Sequence, residues 1–118
     1  MKESTYQLNV KKLLDERGSY HEVIWGGGFQ ASGIPDILVC YRGIYIGLEL
    51  KVGRNKPSPL QLAKIDVIRQ NGGIGAITWE KLEPIIDILD TIDLALDTND
   101  LEKLDSVRCK YTERKDSI

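Results

Sequence analysis

The chain is poor in the side chains that bind soft metals, because its 118 residues include two cysteines and a single histidine. Cys40 and Cys109 lie far apart and form no CxxC pair, and His21 is the only imidazole. A structural zinc site takes about four such ligands, so the sequence excludes one. Cys40 lies within an apolar run and is predicted to be a small buried residue.

A long apolar segment is also missing. No stretch approaches the roughly 20 residues needed to span a bilayer. The N-terminal Met1-Lys2-Glu3-Ser4 is not followed by the apolar core of a signal peptide. We therefore expect no membrane partner and a cytoplasmic location.

The chain lacks a net positive charge as well: its formal charge is −2. With 42% hydrophobic and 29% charged residues it has the composition of a soluble globular protein, and its length suits one domain. A site for a polyanion must therefore be local. It would be a basic patch or a place where a bound cation reverses the local charge.

Hydrophobic periodicity predicts a mixed α/β domain in the order helix, three strands, helix, strand, helix. The predicted segments are a helix at 4–17, strands at 20–25, 37–41 and 44–52, a helix from 58 to about 71, a strand at 74–79 and a helix at 84–96. The apolar run 37–41 is typical of a strand buried on both faces. The strand–helix–strand unit at 44–79 predicts a parallel pair with a right-handed crossover.

We assign residues 1–98 to the main domain and residues 99–118 to a polar C-terminal extension of it. Four aspartates recur along the helix at 84–96 and just beyond it, and we interpret them as its solvated face: Asp87, Asp90, Asp93 and Asp97. The last of them lacks the glycine and distal glutamate of a calcium loop, so we expect no calcium site.

The most informative pattern is Gly33-Ile34-Pro35-Asp36 followed by Glu49-Leu50-Lys51. Glu49 and Lys51 are two apart on a strand, so they share one face at about 6 to 7 Å. If a hairpin turns at Arg42-Gly43, residue 41 pairs with residue 44. Each step back along the first strand then pairs with one step forward along the second, so Asp36 lies opposite Glu49. Two carboxylates and a lysine then converge.

This convergence suits the hydrolysis of a phosphodiester. Oxygen ligands from Asp36, Glu49 and the carbonyl of Leu50 suit Mg²⁺ or Mn²⁺, which activates water and neutralises charge on phosphate. Lys51 would orient the water or stabilise the transition state. The alternative is an ordinary Glu-Lys pair on an exposed strand.

Gly33-Ile34-Pro35-Asp36-Ile37-Leu38, Gly47-Leu48-Glu49-Leu50-Lys51 and Gln61 together resemble the VRR-NUC family of the PD-(D/E)XK nuclease superfamily, from about Glu3 to Thr78. The resemblance implies an αβββαβ nuclease core, a mixed sheet flanked by helices, here with an extra C-terminal helix. It implies that Asp36 and Glu49 bind metal, that Lys51 assists catalysis and that Gln61 supports the site. Stand-alone members, often phage-encoded, look like dimeric structure-specific endonucleases similar to Holliday junction resolvases, so the resemblance implies a metal-dependent endonuclease that acts on branched DNA.

Two residues carried over by this resemblance have ordinary alternatives. Gln61 is the third helical residue after Ser58, where a capping box places a glutamine, and the two roles are compatible. Glu3 matches a glutamate that the family places in its first helix as a further metal or water contact. A glutamate at a helix N-terminus is also favourable through the helix dipole alone.

Arg54, Lys56 and Lys64 follow the catalytic strand and are candidate contacts to DNA phosphates, with a solvated polar loop as the alternative. We expect a homodimer, since two sites related by a twofold axis suit a branched substrate. The helix at 84–96 or the strand ending at Trp79 would supply the interface. Two rival functions stay open: a restriction-type or replication nuclease, and a non-catalytic DNA-binding module with a nuclease fold.

Overall fold

A computed structural model describes residues 1–24 and 33–114, and its elements follow the predicted αβββαβ order. The elements are α1 (Glu3–Glu16), β1 (Tyr20–Val23), β2 (Ile37–Tyr41), β3 (Ile44–Lys51), α2 (Pro59–Gln70), β4 (Ile74–Trp79) and α3 (Glu83–Asp97). A 3₁₀ turn (Leu101–Leu104) and the short α4 (Asp105–Arg108) follow. Trp25 and the glycines at 26–28, predicted to end a strand and form a loop, lie outside the described residues.

The four strands form one mixed sheet in the order β1-β2-β3-β4. β2 pairs antiparallel with both β1 and β3, whereas β3 and β4 are parallel, as the α2 crossover predicts. Tyr41 pairs with Ile44, so the predicted hairpin register is confirmed. Arg42 and Gly43 have φ of 50° and 87°, which suits a two-residue hairpin turn.

The hydrophobic core lies between one face of the sheet and the helices α1 and α3. It contains alternate residues of the strands together with the apolar sides of both helices, among them Tyr6, Val10, Leu14, Ile37, Val39, Ile46, Leu48, Ile85, Ile88, Leu89 and Ile92. α2 covers the other face of β3 and β4, where Ile65 packs against Gly75. The even-numbered residues of β3 thus face the core and the odd-numbered ones face the α2 side of the sheet, where Gly47 and Glu49 contact α2.

β2 differs from the prediction, because only one of its faces is buried. Ile37, Val39 and Tyr41 are buried, whereas Leu38 is half-buried and Cys40 is exposed. Cys40 pairs with Tyr20 and Tyr45, which are also exposed. All three lie on the α2 side of the sheet, but α2 does not cover them. The prediction of a buried Cys40 is therefore wrong, since a continuous apolar run does not show whether a second layer covers it.

The C-terminal extension packs against the domain. Leu104 and Val107 are buried in the core, and Ile77 N–H donates to the Tyr111 carbonyl at 2.9 Å. Arg69 reaches the same segment, donating to Thr112 Oγ1 at 2.8 Å. These contacts hold residues 111–112 along β4.

Asp90 and Asp97 on the acidic side of α3 are exposed, as predicted for a solvated face, and this side also carries ion pairs. Asp93 accepts hydrogen bonds from the Tyr41 hydroxyl at 2.9 Å and from Arg42 at 3.0 Å, and Arg17 pairs with Asp90. These contacts tie α3 to α1 and to the β2–β3 turn. The local pattern of aspartates could not reveal partners that lie 50 or more residues away.

The apolar side of α3 packs in the core, with Ile88, Leu89 and Ile92 fully buried. It is therefore not available as the dimer interface that the sequence suggested, because this chain already covers it. Among the described residues, no helix is both long and apolar enough to cross a bilayer.

Candidate active site

Asp36 stands immediately before β2, where backbone bonds fix its position. Its carbonyl accepts a hydrogen bond from Ile24 N–H at 2.8 Å, which extends the β1–β2 ladder by one step. Its Oδ2 accepts from Leu50 N–H at 2.8 Å. The Asp36 carboxylate is thereby held against the middle of the Glu49-Leu50-Lys51 motif, as the hairpin register predicts.

Glu49 is 1% exposed and lies on the α2 face of β3. Its Oε2 has no hydrogen-bond partner among the described residues. Burial, then the neighbouring Asp36 carboxylate, raises the pKa of Glu49 to about 9, while Lys51 lowers it only in part. A buried carboxyl beside another carboxylate is costly unless a cation compensates it.

Lys51 supplies the positive charge nearest to this pair. Its Nζ lies 3.8 Å from Glu49 Oε1, and its side chain is 15% exposed. This distance is an ion-pair contact rather than a tight hydrogen bond. The ammonium therefore faces the carboxylates from the next position on the same strand face and keeps a path to solvent.

Gln61 joins α2 to Glu49. Its Nε2 donates to Glu49 Oε1 at 3.2 Å, while its Oε1 accepts from Ser58 N–H at 2.9 Å. Ser58 Oγ in turn accepts from Gln61 N–H at 3.1 Å, which completes the capping box. The capping role is present, and the same side chain contacts Glu49.

The glycine of the Gly33-Ile34-Pro35-Asp36 motif allows close contact with the start of α2. Gly33 has φ of +84°, and a Cβ there would lie 2.8 Å from the Leu60 carbonyl oxygen. Any other residue would be strained and would collide with the helix backbone. Gly33 thus lets the segment that precedes Asp36 lie directly against the helix that carries Gln61.

The site fits a hard divalent cation. An Asp and a Glu carboxylate converge on it, and the buried Glu49 Oε2 has unused acceptor capacity. Leu50 directs its N–H toward Asp36, and N–H and C=O of one strand residue point to the same side, so the Leu50 carbonyl also points toward Asp36. The donors are all oxygens, as Mg²⁺ and Mn²⁺ prefer.

Glu3 lies in the first turn of α1 and is exposed. It is near enough to add to the rise in the pKa of Glu49, as the smallest of the causes. Over residues 1–24 and 33–114, no three His, Cys, Asp or Glu side chains are arranged to hold a metal ion. The structure therefore brings Glu3 toward Glu49 without placing it in a set of three carboxylates.

Beside the site is a groove of about 1000 Å³, which we call the Trp79 groove. Arg54 and Lys56 line it, while Lys64 on α2 does not. Its aromatic wall is Trp79, a residue that the sequence suggested only as part of a dimer interface. Trp79 pairs with Lys51 across the parallel strands, so both side chains project from the same face. The only sequence signal was a tryptophan at the end of a strand.

No protein-family model matches the chain, and no curated protein matches it. Solved structures do match. One described as a VRR_NUC domain has a TM-score of 0.55 and 23% identity, covering 80% of this chain and 94% of the other. Hjc, a Holliday junction resolvase from the archaeal hyperthermophile Archaeoglobus fulgidus, has a TM-score of 0.52 and 16% identity, covering 64% of this chain and 66% of the other. The predicted fold is confirmed, because the chain shares the fold of a VRR_NUC domain and of Hjc.

Proposed function

We propose that this chain is a nuclease that hydrolyses DNA phosphodiester bonds with Mg²⁺ or Mn²⁺. The observation that carries the proposal is the Asp36–Glu49 pair, in which a buried carboxylate with an unused oxygen faces a second carboxylate. A protein gains nothing in stability from such a pair. It gains a cation site, and Lys51 stands beside it.

Each residue has a role that follows from its position. Asp36, Glu49 and the carbonyl of Leu50 would hold the cation, which when bound supplies Lewis-acid activation of water and neutralisation of phosphate charge. The Lys51 ammonium donates hydrogen bonds to the attacking water or to the phosphate oxygen that gains charge. Gln61 keeps the Glu49 carboxylate in one orientation through its hydrogen bond to Oε1.

We propose branched DNA as the substrate and a homodimer as the active form. Hjc, whose fold this chain shares, is a Holliday junction resolvase. A four-way junction has twofold symmetry, and a symmetric dimer presents two sites to two of its strands. Sedimentation at several protein concentrations, with and without a junction, measures the assembly; a monomer under all conditions would contradict the dimer.

The test is cleavage of labelled DNA as four-way junction, flap and linear duplex, each with Mg²⁺, with Mn²⁺ and with EDTA. We expect cleavage with either metal, none in EDTA, and faster cleavage of the junction. Asp36→Asn and Lys51→Ala should each lower the rate by about 100-fold or more. Lys12→Ala removes the same charge from an exposed position on α1 and should leave the rate unchanged.

The rival functions give different results in the same assay. A restriction-type or replication nuclease would cut linear duplex or ends at least as fast as junctions. A non-catalytic binding module would retain DNA on a gel with every metal and never cut it. Full activity in both Asp36→Asn and Lys51→Ala would remove the assignment of these residues.

A further inference from the structure

We infer that the Trp79 groove binds an unpaired DNA nucleotide next to the phosphodiester that is cut, with its base stacked on the indole. This inference rests on the proposed function, which supplies DNA as the partner. It adds a binding site for single-stranded DNA to a chain whose carboxylates and lysine account only for the cutting.

The position of the groove is the first argument. Lys51 and Trp79 are direct neighbours across the β3–β4 pair, at the usual strand spacing of about 4.8 Å. Both side chains project from the α2 face of the sheet. A strand whose phosphate lies at Lys51 therefore has its next nucleotide within reach of the indole.

The composition of the groove is the second argument. An aromatic ring and apolar side chains lie among basic ones, and the lining holds three basic residues against one acidic residue: Trp79, Pro57 and Leu62, then Arg54, Lys56 and Arg114, with Glu113. In a chain with a net charge of −2 this is a local reversal of sign. Aromatic and basic side chains together are typical of surfaces that bind single strands, because the ring stacks on a base while the cations contact phosphates.

The groove is held in place, which is the third argument. Trp79 Nε1 donates to the Asn55 carbonyl at 2.8 Å, fixing the ring against the loop that carries Arg54 and Lys56. Glu80 accepts from Gly53 N–H at 2.6 Å and holds the same loop. Arg69 donates to Thr112, which also lines the groove. A rigid ring and a rigid wall lower the ordering cost of binding.

Arg54 and Lys56 are exposed and have no ion-pair partner in the described part of the chain. Their charges are therefore available to phosphates. Each phosphate contact releases counterions, so binding should weaken steeply as salt increases.

The experiment measures the affinity of the full chain in EDTA for fluorescein-labelled ten-nucleotide oligothymidine and for a blunt duplex of mixed sequence. Trp79→Leu should weaken oligothymidine binding by about tenfold, the effect of losing one stacked base, and should leave duplex binding unchanged. Arg54→Gln should lower the salt dependence of log K by about 0.7 for the lost cation. Lys12→Ala, the same charge change on α1, should alter neither measurement.

Trp79→Phe separates stacking from folding. Phenylalanine keeps an aromatic face but, like leucine, loses the hydrogen bond to Asn55. Stacking predicts that the phenylalanine variant binds oligothymidine nearly as well as wild type, whereas a purely structural role predicts equal losses in both variants. Equal losses of oligothymidine affinity in the leucine and phenylalanine variants would overturn the inference. So would a Trp79→Leu variant that loses the same affinity for duplex as for oligothymidine.

The outcome does not depend on cleavage. A wild-type chain that binds oligothymidine through Trp79 but never cuts with any metal loses the nuclease proposal and keeps only the single-strand binding site in the Trp79 groove. A chain that cuts junctions but binds oligothymidine with the same affinity after Trp79→Leu keeps the nuclease proposal and loses this one.

Discussion

Gln61 holds Glu49 with the same amide group that caps α2: its Nε2 donates to Glu49 Oε1 at 3.2 Å and its Oε1 accepts from the Ser58 backbone at 2.9 Å. The start of the helix and the orientation of the carboxylate are thus set by one side chain. Because Ser58 contributes only to the cap, the two functions of Gln61 can be separated.

Ser58→Ala should lower stability with little effect on catalysis. It removes the hydroxyl that accepts from Gln61 N–H, which costs about 1 kcal/mol of the free energy of unfolding. Gln61→Glu keeps the acceptor for Ser58 N–H but brings a third carboxylate against Glu49, so activity should decrease more than stability. Urea denaturation and cleavage rates measure the two effects, and parallel changes in both variants would refute the separation.

Glu49→Gln should make the metal-free protein more stable. The neutral amide removes a buried carboxyl from beside Asp36 and still accepts the bond from Gln61. We expect a gain of about 1 kcal/mol in EDTA, as at sites where function opposes stability. A cation at about 100 times its Kd should stabilise wild type by about 2.7 kcal/mol and the variant much less. Thermal unfolding with and without Mn²⁺ tests both statements, and a less stable variant in EDTA would contradict the first.

Tyr6 should make stability decrease at alkaline pH. Its hydroxyl lies 2.7 Å from Thr78 Oγ1 and 2.9 Å from the Lys81 carbonyl; a carbonyl only accepts, so Tyr6 donates to Lys81 and Thr78 donates to Tyr6. Burial raises the pKa of Tyr6 to about 12, although the Thr78 bond lowers it. The folded state therefore holds the proton more tightly than the unfolded chain, whose pKa is 10.0.

The stability that the protonated Tyr6 contributes is fully present below pH 10 and is lost as the pH rises through 12. The total loss is about 2 to 3 kcal/mol in the free energy of unfolding. Tyr6→Phe lacks the titrating group, so the stability difference between wild type and variant should shrink over that range. Urea denaturation at pH 8, 10 and 12 measures it; a constant difference would show that Tyr6 does not titrate as described.

Gly75→Ala should move α2 away from the sheet and impair the site. A Cβ at Gly75 would lie 2.9 Å from the Ile65 carbonyl oxygen, a backbone atom that moves only with the helix. We expect a loss of about 2 kcal/mol or more and a lower specific activity, because Gln61 moves with α2. Gly72→Ala is the matched control: its φ is +90° but the space around it is open, so it should cost about 1 kcal/mol and leave activity intact. Equal specific activities of Gly75→Ala and Gly72→Ala, measured well below both unfolding temperatures, would show that a shift of α2 does not impair the site.

The Asp36–Glu49 pairing was predictable because a two-residue turn fixes the register of a hairpin, and two sequence positions then determine which side chains meet. The cap at Ser58 was predictable for the same reason, since all its partners lie within three residues. Local pattern and structure coincide wherever the contact itself is local.

The features that the sequence did not predict involve contacts between distant segments. Cys40 is exposed because α2 lies over β3 and β4 and does not cover Cys40 on β2. The sequence of the run 37–41 contains no signal for the extent of this cover. The place of Trp79 beside Lys51 depends on the register of two parallel strands separated by a whole helix. Neither the pairing of Arg42 with Asp93 nor that of Tyr6 with Thr78 has any signal in the neighbouring sequence.

The bond from Ile77 N–H to the Tyr111 carbonyl has a consequence for solubility. β4 is an edge strand, and free N–H groups along an edge can pair with the edge of another molecule and start aggregation. The Tyr111 carbonyl accepts from one of those N–H groups. Arg69 holds the segment at residue 111 in place, because it donates to the Gly75 carbonyl on β4 and to the Tyr111 carbonyl. The segment after α4 therefore covers part of the sheet edge beside the groove and takes up one N–H group that could otherwise pair with a second chain.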